Sequence, residues 1–166
     1  MLDHRLLAIY LNDHLAGATA GLELVRRARN SNEGSELGEL LARLAGEIEA
    51  DRRALEGVME SMEVSRDHPK VMAGWVAEKL GRLKPNGQIT GYSPLSRLVE
   101  LEGLALGLRG KLGLWRALLE VADEDVRLDR GALTNLAERA ERQHEEVEEH
   151  RLRAARLALA QAPAAV

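Results

Sequence analysis

Glu141-Arg-Gln-His144 is the stretch of this chain whose residue types and spacing are best suited to chemistry. On a helix, a Glu and a His three residues apart share one face, where carboxylate and imidazole suit a divalent metal or proton transfer. Four-helix proteins that hold two metal ions use this pair on two helices and a single Glu on each of the others. The second long helix here offers Glu47-x-x-Ala50, Glu49-x-x-Arg52 and Asp51-x-x-Ala54, none with a histidine. Half of such a ligand set is therefore present, and no catalytic, cofactor-binding or metal-ligating residue is assigned.

These residues have to be positioned by helices. Apolar residues recur at 3–4 spacing over Leu2 to Arg29, with Leu7, Leu11, Ala18, Leu22 and Val25 on the core stripe and His14 in its gap. The polar stretch Asn30 to Ser35 makes a turn. A second helix then runs to about Val64 on Leu37, Leu41, Leu44, Ile48, Leu55, Val58 and Met62, with Asp51 in the gap. Ser65-Arg-Asp-His-Pro69 ends it, and Pro69 opens a shorter helix to about Leu83 that contains Trp75. Pro85-Asn-Gly87 is a turn, and Ser93-Pro94 reads as the cap and first position of a third long helix, to about Ala122. Its stripe is Leu98, Leu101, Ala105, Leu108, Leu112, Trp115 and Leu119. The fourth helix, about Ala132 to Ala160, carries Leu133, Leu136, Ala140, His144, Val147, Arg151, Ala154 and Ala158.

Counting away from the short turns puts His14, Asp51, Arg109 and His144 at one mid-height level, with Glu141 a turn away and Glu102 opposite Arg151. Three readings of this polar layer stand side by side. In the first, Arg109 bridges Asp51 and Glu141 in an ion-pair network that sets helix register. In the second, His14, Asp51, Glu141 and His144 hold zinc or iron. In the third, the paired imidazoles and carboxylates do acid–base work. Elsewhere, Gly103, Gly107 and Gly110 share one face of the third helix. Each costs ~1 kcal/mol relative to alanine, so close approach of another helix is expected there, either the short connecting helix or a second copy.

Composition narrows the classes. The 166 residues are 45% hydrophobic and 30% charged, with no Phe, two Trp and two Tyr, which suits closely packed helices in one domain. Residues 1–160 form that domain and 161–166 a frayed tail. The absence of cysteine excludes disulfides and thiolate metal sites, and a net charge of -4 gives no reason to expect nucleic acid or an anionic membrane. Lys79, Arg82 and Lys84 lack interleaved aromatics and read as a solvated face. No run approaches the ~20 apolar residues of a membrane span, and no leader is evident, so the expected location is cytoplasmic.

Two long hairpins, a middle connection of about 30 residues and Glu141-x-x-His144 together resemble the ferritin-like four-helix-bundle superfamily over roughly Leu6 to Leu159. The resemblance implies an all-α fold with a long middle crossover carrying a short extra helix. It also implies, as an alternative function, a metal-dependent oxidoreductase using iron, manganese or zinc. At the level of His144 the third helix has no carboxylate, and Arg109 stands where a metal's partner is needed. The expected function is a non-enzymatic bundle acting by binding or assembly, without a cofactor. It is expected to be a homo-oligomer, with the Gly103, Gly107, Gly110 face as its contact.

Overall fold

In a computed structural model of the chain, residues 2–66 and 92–160 are described, and they form four long helices. These are α1 (His4–Ser31), α2 (Glu36–Ser61), α3 (Pro94–Glu120) and α4 (Arg130–Leu159), with a 3-10 turn at Ala122–Glu124 before α4. The expected short helix around Trp75, the basic residues of the connection and the tail from 161 lie outside the described residues.

Each helix begins at a side chain that accepts from its otherwise unpaired first turn. Asp3 takes the Arg5 and Leu6 amides, Ser35 that of Gly38, Ser93 that of Ser96 and Asp129 that of Ala132. Such caps contribute about 1 kcal/mol each. Ser93 and Pro94 hold the cap and first-position roles expected of them. α2 stops before the proline-containing stretch. Glu63 turns left-handed (φ 57°), and the Val64 amide reaches back to the Met59 carbonyl at 2.8 Å, a Schellman closure. The α1–α2 turn is tight. A Cβ at Gly38 would lie 2.2 Å from the Asn32 carbonyl oxygen, so only glycine fits there.

Directions follow from contacts at the two ends. At one end, Asn32 Nδ2 donates to Tyr92 Oη (3.0 Å), and Arg97 Nε donates to Asn32 Oδ1 (2.9 Å). At the other, Asn12 Nδ2 donates to the Ser65 carbonyl (3.0 Å). α2 therefore finishes near the start of α1, and α3 starts near the end of α1. α2 and α3 run parallel, each antiparallel to α1, and residues 66 and 92 stand at opposite ends of the bundle. This is the crossover topology expected from the long middle connection.

The apolar interior has two parts. One joins Leu22 to Ala28, Leu37 to Ile48, Leu98 to Leu108, and Val147 with Ala154. The other joins Leu7 and Leu11, Leu55 to Met62, Leu112 to Leu118, and Leu133 to Ala140. Between them, at mid-height, lies a polar layer. No described helix is long and apolar enough to cross a membrane.

Candidate functional site: a glycine-walled cleft above a buried ion-pair layer

Asp51 is the centre of the layer and only 2% exposed. Its Oδ2 accepts from Lys111 Nζ at 2.5 Å and from Gln143 Nε2 at 3.3 Å. Its Oδ1 has the Arg139 guanidinium as an ion-pair partner, without an aligned hydrogen bond of its own. Gln143 is oriented by its neighbours: its oxygen accepts from Lys111, while its amide nitrogen also donates to Glu47 at 2.8 Å. Burial pulls the Lys111 ammonium below its ordinary pKa, and the Asp51 charge opposes that shift.

The sequence placed Asp51 correctly and most of its partners incorrectly. Arg109 is exposed, and the cation that faces Asp51 from α3 is the half-buried Lys111, about 200° further round the helix at 100° per residue. On α4 the interior takes Gln143 rather than His144, the i+3 rather than the i+4 choice after Ala140. The bridge from Arg109 to Asp51 and Glu141 is thereby corrected. Glu141 instead pairs at the surface with Arg116 at 3.1 Å. His144 and Arg109 meet in an outer groove with Glu102, Glu148 and Arg151. The levels nevertheless hold, since Arg151 Nη1 lies 3.5 Å from Glu102 Oε1.

His14 stands apart from the Asp51 pairs, edge-on to Tyr10 at 4.6 Å between ring centroids. It lines a cleft of about 200 Å³ bounded by α1, α2 and α3. Burial holds its imidazole below the ordinary histidine pKa, against the opposing pull of Asp13. The walls of the cleft are Gly17 and Gly21 on α1 and Gly103, Gly107 and Gly110 on α3. The glycine face thus turns toward α1 within the chain. Only Gly103 is closely covered, by Leu24 Cδ2 at 3.0 Å from an added Cβ. At Gly17, Gly21, Gly107 and Gly110 an added Cβ meets nothing within 4 Å among the described residues.

Ile48, Leu55, Leu104, Leu108 and Leu114 give the cleft an apolar body. Its polar groups are Asp13, His14, Asp51, Arg52, Lys111 and the Trp115 indole. Two buried donors among them, Trp115 Nε1 and Arg52 Nε, have no hydrogen-bond acceptor among the described residues. Sequence reasoning missed Lys111, Arg139, Gln143 and the cleft itself; the glycine spacing was the signal that could have found the cleft.

A second polar cluster ties α3 to the α1–α2 turn. Tyr92 Oη donates to Glu100 Oε2 (2.8 Å), and Arg27 Nε donates to Glu100 Oε1 (2.9 Å). Arg97 lies over the Tyr92 ring, 5.5 Å from its centroid. Burial raises the Tyr92 phenol to about 12. This is a clasp between elements, with the Tyr92 hydroxyl and both Glu100 oxygens answered by neighbours.

Among the described residues, no three His, Asp or Glu side chains converge as a metal ligand set. No family model, curated protein or solved structure matches the chain.

Proposed function

We propose that this chain is a non-enzymatic helical bundle of ferritin-like layout that acts by binding a small molecule in the cleft between α1, α2 and α3. The layout rests on the parallel α2 and α3 and on the long middle connection. The observation that carries the binding reading is the cleft of about 200 Å³ onto which four mid-helix glycines open. Helix interiors favour alanine over glycine by ~1 kcal/mol, and close packing is the usual compensation. Here no described atom packs against four of them, and an open cleft with apolar walls and a few convergent polar groups has the composition of a ligand site.

A di-metal centre, the ferritin-like alternative, does not fit these residues. Asp51 already faces Lys111 and Arg139, two cations in the space where metal ions would stand, while Glu141 pairs with Arg116 and His144 lines an outer groove.

A titration of the full chain with neutral, anionic and cationic fragments of about ten non-hydrogen atoms tests the reading. The leucine methyl resonances of Leu55, Leu104, Leu108 and Leu114 report on the cleft. Saturable shifts at these methyls, absent in Gly107→Leu, are expected. Shifts confined to other parts of the protein, or none at all, would contradict it.

A further inference from the structure

We propose that the cleft takes a small amphipathic carboxylate, with its apolar body between the glycine walls and its head among Lys111, Trp115 and Arg52. This rests on the reading of the cleft as a binding site and adds the class of ligand.

The donor and acceptor balance of the cleft chooses that class. Lys111 Nζ carries three N–H groups, of which two are spent on Asp51 and Gln143. Trp115 Nε1 is buried on a side chain only 1% exposed and has no acceptor, and Arg52 Nε is likewise unanswered. All three side chains line the cleft. Lys111 and Trp115 lie one turn apart on the same face of α3, and Arg52 follows Asp51 on α2. Around Lys111 and Arg52 the acceptors are already engaged. Both Asp51 oxygens face cations or the Gln143 amide, and Glu56 is held by Arg52 at 3.2 Å and Arg66 at 3.6 Å. Asp13, the remaining carboxylate of the lining, is exposed to water. The unspent donors, on Lys111, Trp115 and Arg52, stand at the α2–α3 side of the cleft, whereas its open acceptors, Asp13 and the His14 imidazole, stand on α1. Carboxylate oxygens answer N–H donors with charge-assisted hydrogen bonds, whereas an ammonium head adds a fourth group of donors to the surplus.

Size sets the apolar part. A dry cavity of roughly 150 Å³ accepts benzene, and sites for drug-sized molecules begin near roughly 300 Å³. A cleft of about 200 Å³ lies between these. A single ring with a short arm, or an acyl chain of about eight carbons, is the matching body.

Calorimetric titration of the full chain at pH 7 with octanoate, octan-1-ol and octylammonium tests the proposal. Octanoate is expected to bind once per chain, at least about tenfold more tightly than the alcohol or the ammonium. The Trp115 indole N–H resonance, assigned by its loss in Trp115→Phe, should move as octanoate saturates. Gly107→Leu should weaken octanoate at least tenfold while keeping its helical circular dichroism. If that variant does not fold, Gly107→Ala supplies a graded substitute and should still weaken binding. Octanoate affinity unchanged in the glycine variants would overturn the proposal, because the ligand would then sit elsewhere. Octylammonium or octanol binding as tightly as octanoate would overturn the carboxylate class. If none of the three binds, the class falls. Fragment shifts at the cleft methyls would then decide whether the binding reading falls with it.

Discussion

Replacing Gly17, Gly21, Gly107 and Gly110 together by alanine puts four methyl groups into the cleft. Each position is inside a helix, and each new Cβ meets no described atom within 4 Å. The gain in helix propensity is ~1 kcal/mol per site, or roughly 3–4 kcal/mol for all four if they act independently. A domain of this size shifts its midpoint by roughly 2–4 °C per kcal/mol, so the quadruple variant should melt about 10 °C higher. Gly38→Ala is the opposite control: its Cβ would lie 2.2 Å from the Asn32 carbonyl oxygen, and the variant should be clearly destabilised. Differential scanning calorimetry, with sedimentation to follow mass, measures both. A quadruple variant that melts lower than the parent would refute the reasoning, because something must then occupy the space. A simultaneous fall in mass would identify that occupant as a second copy, and unchanged mass as the chain's own residues 67–91.

The polar layer gives a second test. Asp51→Ala leaves Lys111 and Arg139 without their buried anion and should cost about 3–5 kcal/mol, while Arg109→Ala, at an exposed position, should stay within about 0.5 kcal/mol in urea unfolding. His14 should titrate below the ordinary histidine value of 6.5 by NMR. The unfolded chain then binds its proton first, so stability should fall as pH drops below 6.5 and be unaffected above it, and His14→Gln should flatten that slope. Tyr92 has its pKa raised from 10.0 to about 12. Its contribution is complete below pH 10 and is lost as pH rises toward 12, so Tyr92→Phe should be less stable by about 1 kcal/mol at pH 7 yet show a shallower alkaline decline.

What the sequence revealed and what it hid divide along a physical line. Level along the bundle follows from counting residues from the short turns, because rise per residue is constant. That count brought Glu102 opposite Arg151 and put Asp51 at mid-height. Phase around a helix is less constrained where leucines occur on several sides. α3 carries buried Leu101, Leu104, Leu108, Leu112 and Leu114, so its inward face could be drawn through Arg109 or through Lys111. On α4 the interior could continue from Ala140 to Gln143 or His144, and a histidine in a Glu-x-x-His pattern drew the choice the wrong way. Lys111 gave no sign of burial, since a lysine on a helix is ordinarily solvated and becomes an interior residue only when an anion such as Asp51 arrives from another helix. The cleft depends on the separation of α1 and α3, which no local pattern encodes. Only the glycines hinted at it, and they were read as a place for a second helix.

A crystal structure of the full chain grown with octanoate tests the central claim most directly. One acyl chain is expected between Gly17 and Gly21 on one wall and Gly107 and Gly110 on the other. Its carboxylate should lie within hydrogen-bond reach of Lys111 Nζ or Trp115 Nε1. A cleft filled instead by side chains of residues 67–91, or by a second copy of the chain, would contradict it.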